Sequence, residues 1–97
     1  MNRLPPFPSR AEAEAKLLDL IEGRCTRQEV SDWAAQWFLA DQWSRVHLEV
    51  NDYGVWDTLG LLMAADLKTI DRPYLYDEVD FRAWLEELRA APKQRLP

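Results

Sequence analysis

The sequence predicts a mainly α fold: a compact four-helix domain, with two short segments able to pair as a two-stranded β patch. Three observations predict it. Two capping boxes, Ser9-x-x-Glu12 and Thr26-x-x-Glu29, each stand directly before a run of good helix formers. Val30, Trp33, Ala34, Trp37 and Phe38 then recur at the spacing of one helix face. Val55 to Leu67 is apolar on nearly every side of a 3.6-residue wheel, as in a helix buried at the centre of a small domain.

Taken in order, residues 1–8 read as a Pro-rich arm, 9–91 as a single helical domain and 92–97 as a solvated tail. Phe7 is placed to pack back as a staple ahead of the first helix. That helix covers Ala11 to Glu22, with Leu17, Leu18 and Ile21 on one face and Leu20 at its edge, and Gly23 ends it. The short joint Gly23-Arg24-Cys25 predicts that the first two helices are antiparallel neighbours. The second helix runs from its capping box to the region Asp41–Ser44.

Arg45 to Val50 alternates apolar and polar residues, a strand signal in competition with helical continuation. Asn51 or Asp52 caps the central helix. Gly60 inside that helix costs about 1 kcal/mol relative to Ala, which predicts the close approach of another backbone. Asp71-Arg72-Pro73 breaks the pattern, and Tyr74–Tyr76 is a brief extended segment able to pair with Val46–Val50. Asp77-x-x-Asp80 starts the last helix with acids at its positive end. Phe81, Trp84, Leu85 and Leu88 form its core stripe, and Pro92 stops it.

Composition narrows the function. A chain of 97 residues, 47% apolar and 30% charged, has the make-up of one globular domain. Its net charge of −5 is uneven: Glu49 to Glu87 carries ten acids against Lys68, Arg72 and Arg82, a balance of −7, leaving +2 on the flanks. Such a face repels phosphate backbones and attracts cationic proteins, so the expected partner is a basic protein and not nucleic acid. Cys25 is alone, the N-terminus lacks the apolar core of a signal peptide, and no run approaches a membrane span. The expected location is the cytoplasm, with no membrane partner.

No residue set reads as a catalytic centre, so the chain is expected not to be an enzyme. Cys25 sits ahead of the second helix, where the dipole lowers a thiol pKa, but no spacing links it to His47 as a nucleophile pair. One His and one Cys do not fill a zinc site, and the acids at 71–80 lack the spacing and glycine of a calcium loop. No metal or other cofactor is expected. The candidate partner-binding set is Asp71, Tyr74, Tyr76, Asp77, Glu78 and Asp80, two tyrosine anchors ringed by carboxylates. Trp33, Trp37, Trp56 and Trp84 fall on core stripes, whereas Trp43 and Tyr53 fall at helix ends and are expected to be exposed.

The run Val55-Trp56-Asp57-x-Leu59, Ala65-Asp66-Leu67, Tyr74-Leu75-Tyr76 and Asp80-Phe81-x-x-Trp84-Leu85-x-x-Leu88, preceded by Glu29-Val30-x-Asp32-Trp33, resembles small, largely uncharacterised bacterial proteins over about two-thirds of the chain. In acidity, size and helical build the chain is also similar in kind to toxin-immunity proteins such as the colicin nuclease inhibitors. Their Tyr-Tyr-Pro motif is absent, and Pro73-Tyr74-Leu75-Tyr76 differs in order and spacing, so no binding residue is carried over. The resemblance implies a non-enzymatic inhibitor that covers a basic toxin or nuclease. The alternative is a generic interaction or regulatory subunit, homodimeric through Trp43 and Tyr53.

Overall fold

Each helix begins where the sequence supplies a side chain to satisfy its first amides. The computed structural model describes residues 5–43, 50–71 and 73–94, without the side chains of 41–43. It contains α1 (Arg10–Ile21), α2 (Arg27–Trp43), α3 (Tyr53–Met63) and α4 (Glu78–Ala90). Ser9 and Glu12 close a reciprocal capping box on α1, Thr26 and Glu29 do so on α2, and Asp77 and Asp80 on α4. The Thr26 N–H donating to Glu29 holds that carboxyl below its usual range. Asp52, rather than Asn51, caps α3 by accepting from the Gly54 and Val55 amides. Gly23, at φ 78°, ends α1: the Arg24 N–H donates to the Asp19 carbonyl at 2.8 Å and the Gly23 N–H to Leu20 at 3.3 Å.

The four helices enclose a core of Ala13, Leu17 and Leu20 from α1, Val30, Ala34 and Trp37 from α2, Val55, Leu59 and Leu62 from α3, and Phe81, Trp84, Leu85 and Leu88 from α4. The expected α4 stripe is therefore buried, and the α2 stripe is buried at Val30, Ala34 and Trp37 and half-buried at Trp33 and Phe38. On α1 the stripe is turned. Leu20, placed at the edge by sequence, is buried, while Leu18 and Ile21 are half-buried. Pairing explains the turn: α1 packs chiefly on α4 and α2 chiefly on α3, and contact between α1 and α2 is the least extensive of the packed pairs. The short joint makes α1 and α2 successive without making them principal partners.

Aromatic packing accounts for the α2–α3 pairing. The Phe38 ring stacks on Trp56, centroids 4.8 Å apart, and lies against Gly60, where a Cβ would come within 3.1 Å of it. Gly60 makes room for a ring, not for the second backbone that the sequence suggested. Of the four tryptophans expected in the core, Trp37 and Trp84 are buried, whereas Trp33 and Trp56 are half-buried at its rim. Phe7 packs against the core, Pro8 is fully buried, and the Trp37 indole N–H donates to the Pro5 carbonyl at 2.9 Å. Residues 5–8 thus lie along the bundle.

Among the described residues there is no strand. Of the proposed β patch, residues 46–49 lie outside the described residues. The Leu75 N–H donates to the Leu67 carbonyl at 2.9 Å, closing 67–75 as a loop. Helix α3 stops at Met63, short of the apolar run's end at Leu67. Side chains from α2 take over its terminal carbonyls: the Ser31 hydroxyl donates to Met63 and Arg27 to Ala65, both at 2.9 Å.

Arg10 joins three helices at one end of the bundle. Its Nε and Nη2 meet the two Asp52 carboxylate oxygens at 3.0 and 2.7 Å, and its Nη1 donates to the Leu88 and Ala91 carbonyls at 2.9 and 2.7 Å. The first residue of α1 thereby binds the cap of α3 and the C-terminal carbonyls of α4. The paired guanidinium is the main cause that holds the Asp52 carboxyl below the usual carboxylate range.

Candidate functional site

The acidic set predicted from sequence is largely engaged in starting α4. Asp77 is its N-cap, the Asp80 carboxylate accepts from the Asp77 N–H at 2.9 Å, and Glu78 pairs with Arg82 one turn on at 3.1 Å. Asp71 is exposed on the preceding loop. Tyr76 is half-buried with its ring edge-on to Trp84 at 5.0 Å, so it is part of the packing and not a free anchor. Tyr53, expected to be exposed, is half-buried as the first residue of α3, and its N–H donates to the Lys93 carbonyl at 2.7 Å. The side chain of Trp43 and all of His47 lie outside the described residues.

Cys25 is half-buried against the core, as a structural cysteine would be. Burial, followed by the nearby Asp19 carboxylate, pushes its thiol above the ordinary value. Among the described residues no group of three or more His, Cys, Asp or Glu side chains is placed to hold a metal ion.

Tyr74, by contrast, takes part in a site that the sequence reading did not assemble. Arg27, the first residue of α2, donates from Nη1 to the Ala65 carbonyl at 2.9 Å and the Tyr76 carbonyl at 2.6 Å. Its guanidinium carbon lies 4.1 Å from the Tyr74 ring centroid and 4.9 Å from that of Phe81. Two carbonyls and two aromatic rings therefore fix the plane of the group. Its Nε and Nη2 edge makes no hydrogen bond among the described residues. Beside it opens a cleft of about 310 Å³ lined by Thr26, Arg27, Gln28, Asp66, Lys68 and Tyr74.

Charge pairing singles out this cleft. Arg10, Arg24, Arg82 and Arg89 are each held by carboxylates: Asp52, Asp19 with Glu22, Glu78, and Glu14 respectively. Arg27, Lys68, Lys16 and Lys93 are in no ion pair among the described residues, and of these Arg27 and Lys68 share one cleft. A fixed guanidinium, an exposed ammonium and a tyrosine ring are donors and a stacking surface suited to a phosphate or a base edge, while the Gln28 amide already donates to Asp32 at 2.8 Å. Asp66 at the same cleft limits how much negative charge it attracts.

Sequence reasoning missed Arg27 and Lys68, although one signal was present. Arg27 directly follows a helix N-cap, where the macrodipole disfavours a cation. An arginine in that position has a reason to lie elsewhere than along its own helix.

The fold and cleft define a small α-helical bundle with a cationic, aromatic-backed recess at the start of its second helix. The chain belongs to the family described as "YxzC DNA-binding protein", whose model matches residues 8–88. It is 39% identical over 72 residues to a protein of Bacillus subtilis (strain 168) named "Uncharacterized protein YxzC". That match covers 74% of this chain but 55% of the relative, so the chain spans about half the relative's length. No solved structure matches it.

The resemblance to small bacterial proteins holds at this level. The family description overturns the expected immunity-type inhibitor of a toxin, the generic-subunit alternative, and the exclusion of nucleic acid as a partner. The physical error was to read net charge as a surface. A total of −5 describes the whole chain, while a phosphate meets local groups, and the cleft gathers Arg27 and Lys68 against Asp66 alone. Among the described residues no helix is long and apolar enough to cross a membrane.

Proposed function

We propose that the chain is a non-enzymatic DNA-binding domain of the bacterial cytoplasm that contacts the phosphate backbone through the Arg27–Lys68 cleft. The observation that carries this reading is the family match over residues 8–88. The cleft supports it as the place where two cations without carboxylate partners converge. The raised thiol of Cys25 accords with a binding role, since a protonated thiol is a poor nucleophile. An acidic protein with few phosphate contacts binds weakly and with shallow salt dependence, a slope of roughly −2 to −3 for two or three phosphates neutralised.

Fluorescence anisotropy of a labelled duplex, titrated from low to physiological salt, tests the reading. Binding is expected with that shallow slope. Lys68→Ala, at an exposed position, should leave the thermal midpoint in place and reduce the slope by about one. Absence of any duplex binding at low salt overturns the proposal, and an unchanged slope in Lys68→Ala removes the cleft from it.

A further inference from the structure

The cleft beside Arg27 holds one group that phosphate contact does not use. Asp66 and Lys68 stand two positions apart and both line it. Among the described residues they form no ion pair with each other, and the Asp66 carboxylate accepts no hydrogen bond. Asp66 is half-buried, so it loses part of its hydration without gaining a partner from the fold. Carboxylate and ammonium thus stand side by side with their bonding capacity open. Tyr74 adds a ring to the same lining, with the Arg27 guanidinium carbon 4.1 Å from its centroid. At about 310 Å³ the recess is as large as the smaller ligand pockets, which run from roughly 300 to 1,000 Å³. The outer backbone of a duplex is convex and does not fill such a space.

We infer that the cleft, resting on the DNA-binding reading above, takes an unpaired guanine of a DNA strand. Asp66 accepts from the N1–H and N2–H groups of the base, Lys68 donates to O6, and Arg27 holds the adjoining phosphate. A base inside the duplex turns this edge toward its partner, so only a base out of the stack can offer it to a recess. An ionised carboxylate is an acceptor on both oxygens and donates nothing. Guanine is the base with two adjacent donors on its Watson–Crick edge. Adenine and cytosine place one amino group beside an acceptor, and thymine has a single N–H between two acceptors. The guanine O6 next to those donors matches an ammonium next to a carboxylate. Residues two apart are separated by at most about 7 Å of chain, so Asp66 and the long Lys68 side chain can meet one base edge together. Tyr74 offers that base a ring to stack on. Toward a phosphate alone Asp66 is repulsive; toward a guanine edge it is the group that selects.

Anisotropy on a fully paired duplex and on the same duplex carrying a single bulged G, A, C or T tests the assignment. Wild type should bind the guanine bulge about tenfold more tightly than the other bulges. Asp66→Asn replaces one acceptor by a donor and should erase that preference. It should bind the paired duplex at least as tightly as wild type, at an unchanged thermal midpoint, because Asp66 has no partner in the fold. An inosine bulge, which lacks the N2 amino group, should lose most of the preference with the protein untouched. A 7-deazaguanine bulge, which keeps the whole Watson–Crick edge, should retain it. Equal binding of the four bulges, or a uniform gain in Asp66→Asn with the preference kept, overturns the guanine assignment and leaves DNA binding standing. No binding to any of the duplexes overturns both. Free guanosine monophosphate binding as tightly as the bulged duplex assigns the cleft to a soluble nucleotide and overturns its placement on DNA.

Discussion

Two helices of this bundle start with the same local pattern, Ser9-Arg10-Ala11-Glu12 and Thr26-Arg27-Gln28-Glu29, and their arginines have different fates. In both, the cap satisfies the first amides and the guanidinium turns away to two main-chain carbonyls elsewhere. Arg10 then meets the Asp52 carboxylate on two bonds, which neutralises its charge inside a junction of α1, α3 and α4. Arg27 meets two aromatic faces, which orient the group and leave its charge in place. The same four-residue device closes one end of the molecule and leaves a cationic cleft at another. A carboxylate or a ring as the third partner makes the difference.

The largest expected effect tests the closed junction. Asp52→Ala removes the α3 cap and strands the Arg10 charge, so denaturant unfolding should show a loss of about 3 kcal/mol. Arg27→Met loses two carbonyl bonds from a half-buried group but strands no charge, and should cost about 2 kcal/mol. If Arg27→Met proves the more damaging, Arg27 is the structural keystone and the contrast fails.

The next effect is a pH dependence confined to the closed end. The folded-state pKa of Asp52 lies below its unfolded value, so its stabilisation is complete above the unfolded carboxylate value of about 3.9. That stabilisation is lost as pH falls through the depressed folded value. The stability difference between wild type and Asp52→Asn should therefore shrink on acidification, and a constant difference down to strongly acid pH would break the assignment. Cys25 provides a smaller effect: with its thiol pushed up by burial, alkylation near neutral pH should run slower than that of an unstructured cysteine peptide. The smallest concerns the exposed Glu78–Arg82 pair, where Arg82→Ala should cost no more than about 0.5 kcal/mol by thermal unfolding. A loss comparable to that of Asp52→Ala would mean that surface pairing, not the Arg10 junction, governs α4.

Legibility followed the range of the interactions. Ser9, Glu12, Thr26, Glu29, Asp77 and Asp80 act within one turn of where they stand: both expected boxes form, and the expected helix start at Asp77 and Asp80 closes as a third. The stripes of α2 and α4 were equally readable, because helical period fixes which residues share a face. Leu20 was misplaced because α1 turns toward α4, and the partner of Gly60 was misassigned because a ring from α2 fills that space. The acidic stretch 71–80 misled for a related reason: counting charges along the chain does not say which groups meet in space.

Residue order alone therefore settles four helices, their caps and an apolar interior, since these depend on neighbours three or four positions apart. Pairing of the helices, and with it the meeting of Arg27 with Tyr74, Phe81 and the Ala65 and Tyr76 carbonyls, comes from contacts between residues 38 to 54 positions apart. No local periodicity encodes those distances. They follow from how large rings and small residues fill one shared core.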